Sequence, residues 1–277
     1  MISRLIVIAG GGSYPRLIVE GARRAGVATV DVLSVKGSCV RATRQAADHV
    51  FAFAVGECDT AVKWVGTQGY DGAILAGQVS PMSLFRGNLG PVVRAWLREM
   101  PVKNAHTIFG KLVSEFERHG TRMLPASCFM DDNLPGVGKL TERDLTPGEQ
   151  DDVRRGLQVA SDVGRHDVGQ TVLVKSGMVL AVEAFEGTNA AIRRAGRLSK
   201  GSVLVKAARE GHDWRFDIPV VGLKTLKTMR KAGVTALAFQ AGRLILLDRD
   251  AVVAYANKHH IAVVGVDSGL PPAPLRP

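Results

Sequence analysis

With 277 residues, 46% of them hydrophobic and few of them aromatic, the chain is too long for one small core and suits a two-domain α/β protein. No apolar run approaches the ~18 residues that span a bilayer, and the glycine-rich start is too short for a signal peptide, so a cytoplasmic address is expected. The net charge of +10 is uneven: residues 192–231 hold eleven bases and three acids, a balance suited to nucleic acid, anionic lipid or a phosphorylated ligand. No aromatic platform is interleaved with these bases, which argues against nucleic acid. The three cysteines (Cys39, Cys58, Cys128) lack metal-ligand spacing.

The pattern opens as strand, glycine turn, helix and strand: an apolar run at residues 4–9, Gly10-Gly11-Gly12, an amphipathic helix over 14–25 and a strand over 27–35. Such a βαβ opening predicts a parallel, Rossmann-like sheet with right-handed crossovers. A helix near 60–67, a strand at 72–76 and helices near 92–99 and 107–119 complete an N-terminal domain over 1–130. Residues 131–148 carry Pro-Gly turn chemistry and read as a linker. A helix over 147–164 leads into a C-terminal domain, 149–277, of mixed α+β character. There, strands at 171–175 and 178–183 flank a two-residue Ser-Gly loop, and a second hairpin-like pair is expected at 236–239 and 244–247. Helices are expected near 188–195, 223–232 and 249–258.

Several motifs carry chemistry. Gly11 and Gly12 lie between a strand and a helix, where backbone N–H groups could cradle a phosphate; a plain tight turn reads equally well. The third glycine of a dinucleotide fingerprint is absent, and Asp31 resembles a ribose-binding acid only loosely. Gln78 follows a predicted parallel strand, at the edge where ligands of open α/β sheets gather, or is a loop amide. Gln170 suits a sugar hydroxyl or a uracil edge, or caps a turn.

The densest stretch, residues 183–217, alternates acids, bases and turn glycines. Glu183, Thr188 and Asn189 follow the first hairpin, with Thr188 also a good helix N-cap. Lys206 ends a strand and is a natural partner for phosphate. If residues 215–217 are extended, Asp213, Arg215 and Asp217 point to one side as an acid–base–acid cluster; a surface ion-pair ladder is the plainer reading. Phosphoryl chemistry is largely positioning plus charge stabilisation, which such a mixture serves. The seven histidines form no metal-like pair, and His106 and His119 look isolated.

These residues, in this order, resemble the LpxI-type UDP-2,3-diacylglucosamine pyrophosphatases. The resemblance rests on Ile8-Ala-Gly-Gly-Gly12 with Pro15, Ala76-Gly-Gln-Val-Ser-Pro81, Asp167-Val-Gly-Gln170, Val182-Glu-Ala-Phe-Glu-Gly-Thr188, Val203-Leu-Val-Lys206 and Asp213-Trp-Arg-Phe-Asp-Ile-Pro219. It implies a Mg²⁺-dependent enzyme of lipid A biosynthesis that hydrolyses UDP-2,3-diacylglucosamine to lipid X and UMP and holds its lipid product between the domains. The basic segment, for its part, should favour anionic membrane surfaces, a peripheral place on the inner membrane. The family's catalytic acid maps onto Asp217, or less directly Asp213. Mg²⁺ would then be held by Asp217 with Asp213 or Glu183, and Lys206 and Arg215 would stabilise developing charge. Asn189 stands where the family commonly has Asp, and His212 where Gln is frequent. A homodimer is suggested only by the frequency of two-fold assemblies among enzymes. The alternatives are a non-catalytic binding protein for a nucleotide-sugar lipid, supported by Asn189, and a Rossmann-type oxidoreductase.

Overall fold

In the computed structural model, which describes residues 2–78, 90–102, 104–209 and 211–277, the chain divides into two units with separate principal sheets. The first comprises Met1–Asp131, Asp213–Asp217 and Pro274–Pro277, and the second Asp132–His212 and Ile218–Ala273. Residues 79–81 of the Ala-Gly-Gln-Val-Ser-Pro motif lie outside the described residues.

The first unit is built from β1 (Arg4–Ala9), α1 (Tyr14–Arg24), β2 (Thr29–Val35), α2 (Arg41–Ala46), β3 (Val50–Phe53), α3 (Cys58–Thr67), β4 (Gly72–Ala76), α4 (Pro91–Glu99) and α5 (Ala105–Arg118). The four strands are parallel in the order β3-β2-β1-β4, as in half of a doubly wound sheet. Leu5, Ile6 and Val7 of the central β1 are wholly buried, which is why this strand reads as an unbroken apolar run rather than an alternating one. A Cβ at Gly21 of α1 would lie 1.9 Å from the Phe129 carbonyl oxygen, so glycine permits a contact between helix and chain that no other residue allows.

The second unit contains β5 (Gly138–Lys139), α6 (Pro147–Gly164), β6 (Thr171–Lys175), β7 (Met178–Val182), α7 (Thr188–Leu198), β8 (Val203–Lys206), β9 (Val220–Val221), α8 (Leu223–Ala232), β10 (Ala236–Gln240), β11 (Ile245–Leu246), α9 (Arg249–Lys258) and β12 (Ala262–Val266). Its six-stranded sheet has the order β5-β12-β10-β8-β6-β7 and is mixed: β8, β10 and β12 run parallel, while β5, β6 and β7 pair antiparallel to their neighbours. Alternation divides the side chains between two faces. Leu204, Leu237 and Val263 pack with Ile192 of α7, Leu226 and Met229 of α8 and Val252 of α9, whereas Val203, Val205, Ala236 and Ala238 pack with Val153 of α6. A capping box fixes the start of α6: Thr146 Oγ1 accepts from the Glu149 N–H, and Glu149 returns a bond to the Thr146 N–H.

The architecture is α/β in two units, the first with a parallel sheet, as the pattern predicts. The second hairpin is not formed. β10 lies between β8 and β12 in the large sheet, and β11 pairs in parallel with β9 instead. Buried parallel strands and short hairpin strands share the same apolar composition, and periodicity does not separate them. The pattern also passed over α2, β3 and β12. Residues 138–139 extend the second sheet as β5. Among the described residues no helix is long and apolar enough to cross a membrane.

Candidate functional site

In the second unit, β6, β8 and the start of α7 bring Thr171, Lys206, Glu183 and Thr188 together. The antiparallel register sets Thr171 opposite Lys206. The Lys206 ammonium donates to Thr171 Oγ1 at 2.9 Å and Thr188 Oγ1 at 3.0 Å, and lies 3.5 Å from Glu183 Oε2. Thr188 Oγ1 donates to Glu183 Oε1 at 2.8 Å. An ammonium has three N–H donors, and all three have partners here. Burial would push the Glu183 carboxyl up, but the neighbouring ammonium and the threonine hydroxyls outweigh it and hold it below the usual carboxylate range. Thr188 is therefore not the helix cap: Gly187, at φ +80°, holds that position, and the Thr188 hydroxyl serves the ion pair. Asn189, next along α7, has its Oδ1 buried with no hydrogen-bond partner among the described residues, an acceptor left over in a polar corner.

Gln170 precedes β6, where its carbonyl accepts from the Ala207 N–H. A Cβ on the adjoining Gly169 would come within 2.1 Å of the Glu183 carbonyl oxygen, so this glycine holds the start of β6 against the end of β7.

The segment Asp213–Asp217 belongs to the first unit. It is a turn and not an extended strand: the N–H groups of Phe216 and Asp217 both donate to the Asp213 carbonyl. The cause is local, because the Asp213 carboxylate also accepts the Arg215 N–H at 3.0 Å, the side-chain-to-backbone bond by which Asp nucleates turns. Arg215 grips Asp213 through Nε at 2.9 Å and Nη2 at 2.6 Å, and reaches Glu117 of α5 through Nη1 at 2.6 Å. Desolvation would raise the Asp213 carboxyl; the Arg215 fork overrides this and lowers it. The bonds to Asp213 and Glu117 in turn raise the Arg215 guanidinium.

Asp217 stands at the other end of the turn, with Oδ2 3.8 Å from His106 Nδ1. Phe216 wedges the turn onto α5, its ring 5.2 Å from that of His106 and 6.3 Å from that of Phe109. The Trp214 carbonyl accepts from the Ala126 N–H at 2.7 Å, and the carbonyl of Ala126 accepts from the Tyr14 hydroxyl. His106, Glu117 and Thr171 join these clusters although sequence spacing does not select them. They come from elements distant in the chain, and only strand register and helix docking bring them in.

Gly11 and Gln78 meet across an isolated bridge between the ends of β1 and β4, with N–H···O contacts of 2.9 and 2.8 Å. Gly10 and Gly77 are needed for that approach: a Cβ at Gly10 would lie 2.7 Å from the Gln78 carbonyl oxygen, and one at Gly77 2.8 Å from the Gly10 carbonyl carbon. Gly12 has φ +91° and open space around it, leaving bare backbone ahead of α1.

The carboxylates expected to hold a cation are each engaged by protein groups. Asp213 is forked by Arg215, Glu183 is tied to Lys206 and Thr188, and Asp217 faces His106. Among the described residues no group of three or more His, Cys, Asp or Glu is placed to hold a metal ion. Among the described residues an all-protein cage is thus not built. This donor set suits a cation that takes one carboxylate from the protein and its other ligands from phosphate and water, the usual habit of Mg²⁺.

The LpxI N-terminal domain matches residues 4–133 and the LpxI C-terminal domain residues 136–264. The chain is 30% identical over 282 residues to the UDP-2,3-diacylglucosamine pyrophosphatase LpxI of Caulobacter vibrioides, covering 95% of this chain and 98% of that protein. Likeness to solved structures is slight. The biotin carboxylase domain of 2-oxoglutarate carboxylase from Hydrogenobacter thermophilus gives a TM-score of 0.29 at 10% identity, over 71% of this chain and 41% of that one. N5-carboxyaminoimidazole ribonucleotide synthetase from Thermotoga maritima gives 0.24 at 14% identity, over 65% and 41%. Scores so low carry no argument. Two family domains in tandem and one relative matched almost end to end lead to a single assignment: the chain belongs to the LpxI family.

Proposed function

We propose that this chain hydrolyses the pyrophosphate of UDP-2,3-diacylglucosamine, giving lipid X and UMP for lipid A biosynthesis. The observation that carries this reading is the near-complete alignment with a relative named for that pyrophosphatase. The acid–base turn at Asp213–Asp217 supports it, because its charged groups are fixed before substrate arrives. Asp217 is the carboxylate that would hold Mg²⁺, and the ion would supply neutralisation of pyrophosphate oxygens and a more acidic water. Asp217 also aligns the attacking water towards phosphorus, while Arg215 keeps the turn rigid and presents positive charge beside it. The bare backbone at Gly12, beside Gly11, receives phosphate oxygens, the Gln78 and Gln170 side chains take polar edges of the nucleotide or sugar, and Asn189 Oδ1 accepts from a sugar hydroxyl or amide.

A second reading, a non-catalytic receptor for the same lipid, is favoured by Lys206, whose three donors are all spent inside the protein. Incubation with UDP-2,3-diacylglucosamine and Mg²⁺, with and without chelator, separates the two by release of UMP. Asp217→Asn is expected to lower turnover by about 10³-fold while substrate still binds. Near-normal UMP release from that variant would overturn the role of Asp217, and lipid binding without UMP release from the unmodified protein would favour the receptor.

A further inference from the structure

Helices α7 and α8 pack side by side on the second sheet, so closely that a Cβ at Gly196 would lie 2.5 Å from the Ala232 carbonyl oxygen. Their inner faces bury Ala191, Ile192 and Ala195 from one and Leu226 and Met229 from the other. The outer faces show a different chemistry. Arg193 and Arg197 are exposed one turn apart on α7, and Lys224, Lys227, Arg230 and Lys231 line the exposed side of α8. Neither helix contains an Asp, a Glu or an aromatic residue.

Several helical bases elsewhere pair along the same helix, as Arg16 does with Glu20, Lys63 with Asp59 and Lys111 with Glu115. Among the described residues, no ion pair joins any of these six bases to an acid; the seventh base of the two helices, Arg194, pairs with Glu186 at 2.6 Å. Arg230 also acts on His259, just beyond α9, where slight desolvation together with the charges of Arg230, Lys258 and His260 lowers the imidazole from its ordinary value. At the end of α7 the apolar side chain of Leu198 is 66% exposed beside this basic surface.

We propose that the outer face of α7 and α8 is a docking surface for an anionic phospholipid bilayer. Charge complementarity selects a polyanion, since six unneutralised bases on adjoining helices repel one another until a negative surface compensates them. The bilayer is favoured over nucleic acid because no aromatic side chain on either helix offers a stacking platform, while Leu198 suits the boundary between headgroups and acyl chains. The proposal partly rests on the lipid substrate inferred above, and its test is independent of turnover.

The test is sedimentation of the full chain with vesicles of phosphatidylglycerol and phosphatidylcholine, against vesicles of phosphatidylcholine alone, with no substrate present. Binding is expected only to the anionic vesicles and is expected to fall steeply with salt. The variant Lys224→Gln/Lys227→Gln/Arg230→Gln should partition about 100-fold more weakly, each base contributing roughly a factor of five. A control that neutralises Lys36, Lys63 and Arg154, three bases elsewhere with acidic partners, should bind as the unmodified chain does. Equal sedimentation with both vesicle types, an unaffected triple variant, or tighter binding to an oligonucleotide than to anionic vesicles at the same salt would each overturn the proposal. UMP release from detergent-dispersed substrate is measured separately, so a failure of the proposed activity leaves the vesicle result intact.

Discussion

Lys206 offers the sharpest test of how the second unit is held together. Its side chain is 5% exposed and that of its partner Glu183 14%, so the pair lies largely outside solvent screening. Replacing Lys206 with Met keeps the length and apolar stem but leaves the Glu183 carboxylate buried without a counter-charge. It also removes the donor to the Thr171 and Thr188 hydroxyls. Breaking one side of a buried pair costs about 3–5 kcal/mol, and at roughly 3 °C per kcal/mol for a domain of this size the transition should fall by about 10–15 °C. Calorimetry of the full chain reads the shift. Trp64, Trp96 and Trp214 all lie in the first unit, so tryptophan fluorescence supplies an internal reference. The double variant Lys206→Met/Glu183→Leu should regain most of the loss, because two apolar groups leave no charge to desolvate. A single variant melting within about 2 °C of the unmodified protein would refute the reasoning, as would a double variant no more stable than the single one.

Two further outcomes follow from the same kind of accounting. Glu183, Asp213 and Glu149 all have carboxyls held below their ordinary range in the folded chain. Their contribution to stability is therefore complete above the unfolded carboxylate range near pH ~4 and is lost as pH falls through the lower folded values. Urea titrations across this window should show stability declining towards acid, and Glu183→Gln should flatten that decline. Gly21→Ala should destabilise the first unit by about 1–3 kcal/mol despite the better helix propensity of Ala, since the new methyl meets a backbone carbonyl. Gly148→Ala, in α6 with open space around it, should be neutral or stabilising by up to about 1 kcal/mol; denaturant midpoints of the two variants check the contrast.

Most of the architecture is legible without coordinates because its signals are local. The βαβ opening follows from an apolar run, a glycine turn and a helical period, and α6, β6 and α8 begin and end where caps, Pro and Gly mark them. The failure at residues 236–247 has a cause of the same kind. Short apolar runs around Ala241-Gly242 satisfy the pattern of a hairpin, yet β10 is claimed by two parallel neighbours distant in sequence. Alternation of charge at Asp213–Asp217 leaves an extended segment open as well as a turn, while the deciding bond, from the Arg215 N–H to the Asp213 carboxylate, depends on a side-chain rotamer.

The sequence by itself determines the family, and it marks the acids and bases of residues 183–217 and the glycine turn after β1 as the candidates for its chemistry. Tertiary structure decides what each of those groups is bound to. It gives the three donors of Lys206 to Thr171, Thr188 and Glu183, sets His106 before Asp217, and leaves the Asn189 acceptor without a partner among the described residues. The physical reason is range. Turn and helix preferences act over a few residues, whereas the partner of a buried charge is fixed by strand register and helix docking between segments far apart in the chain.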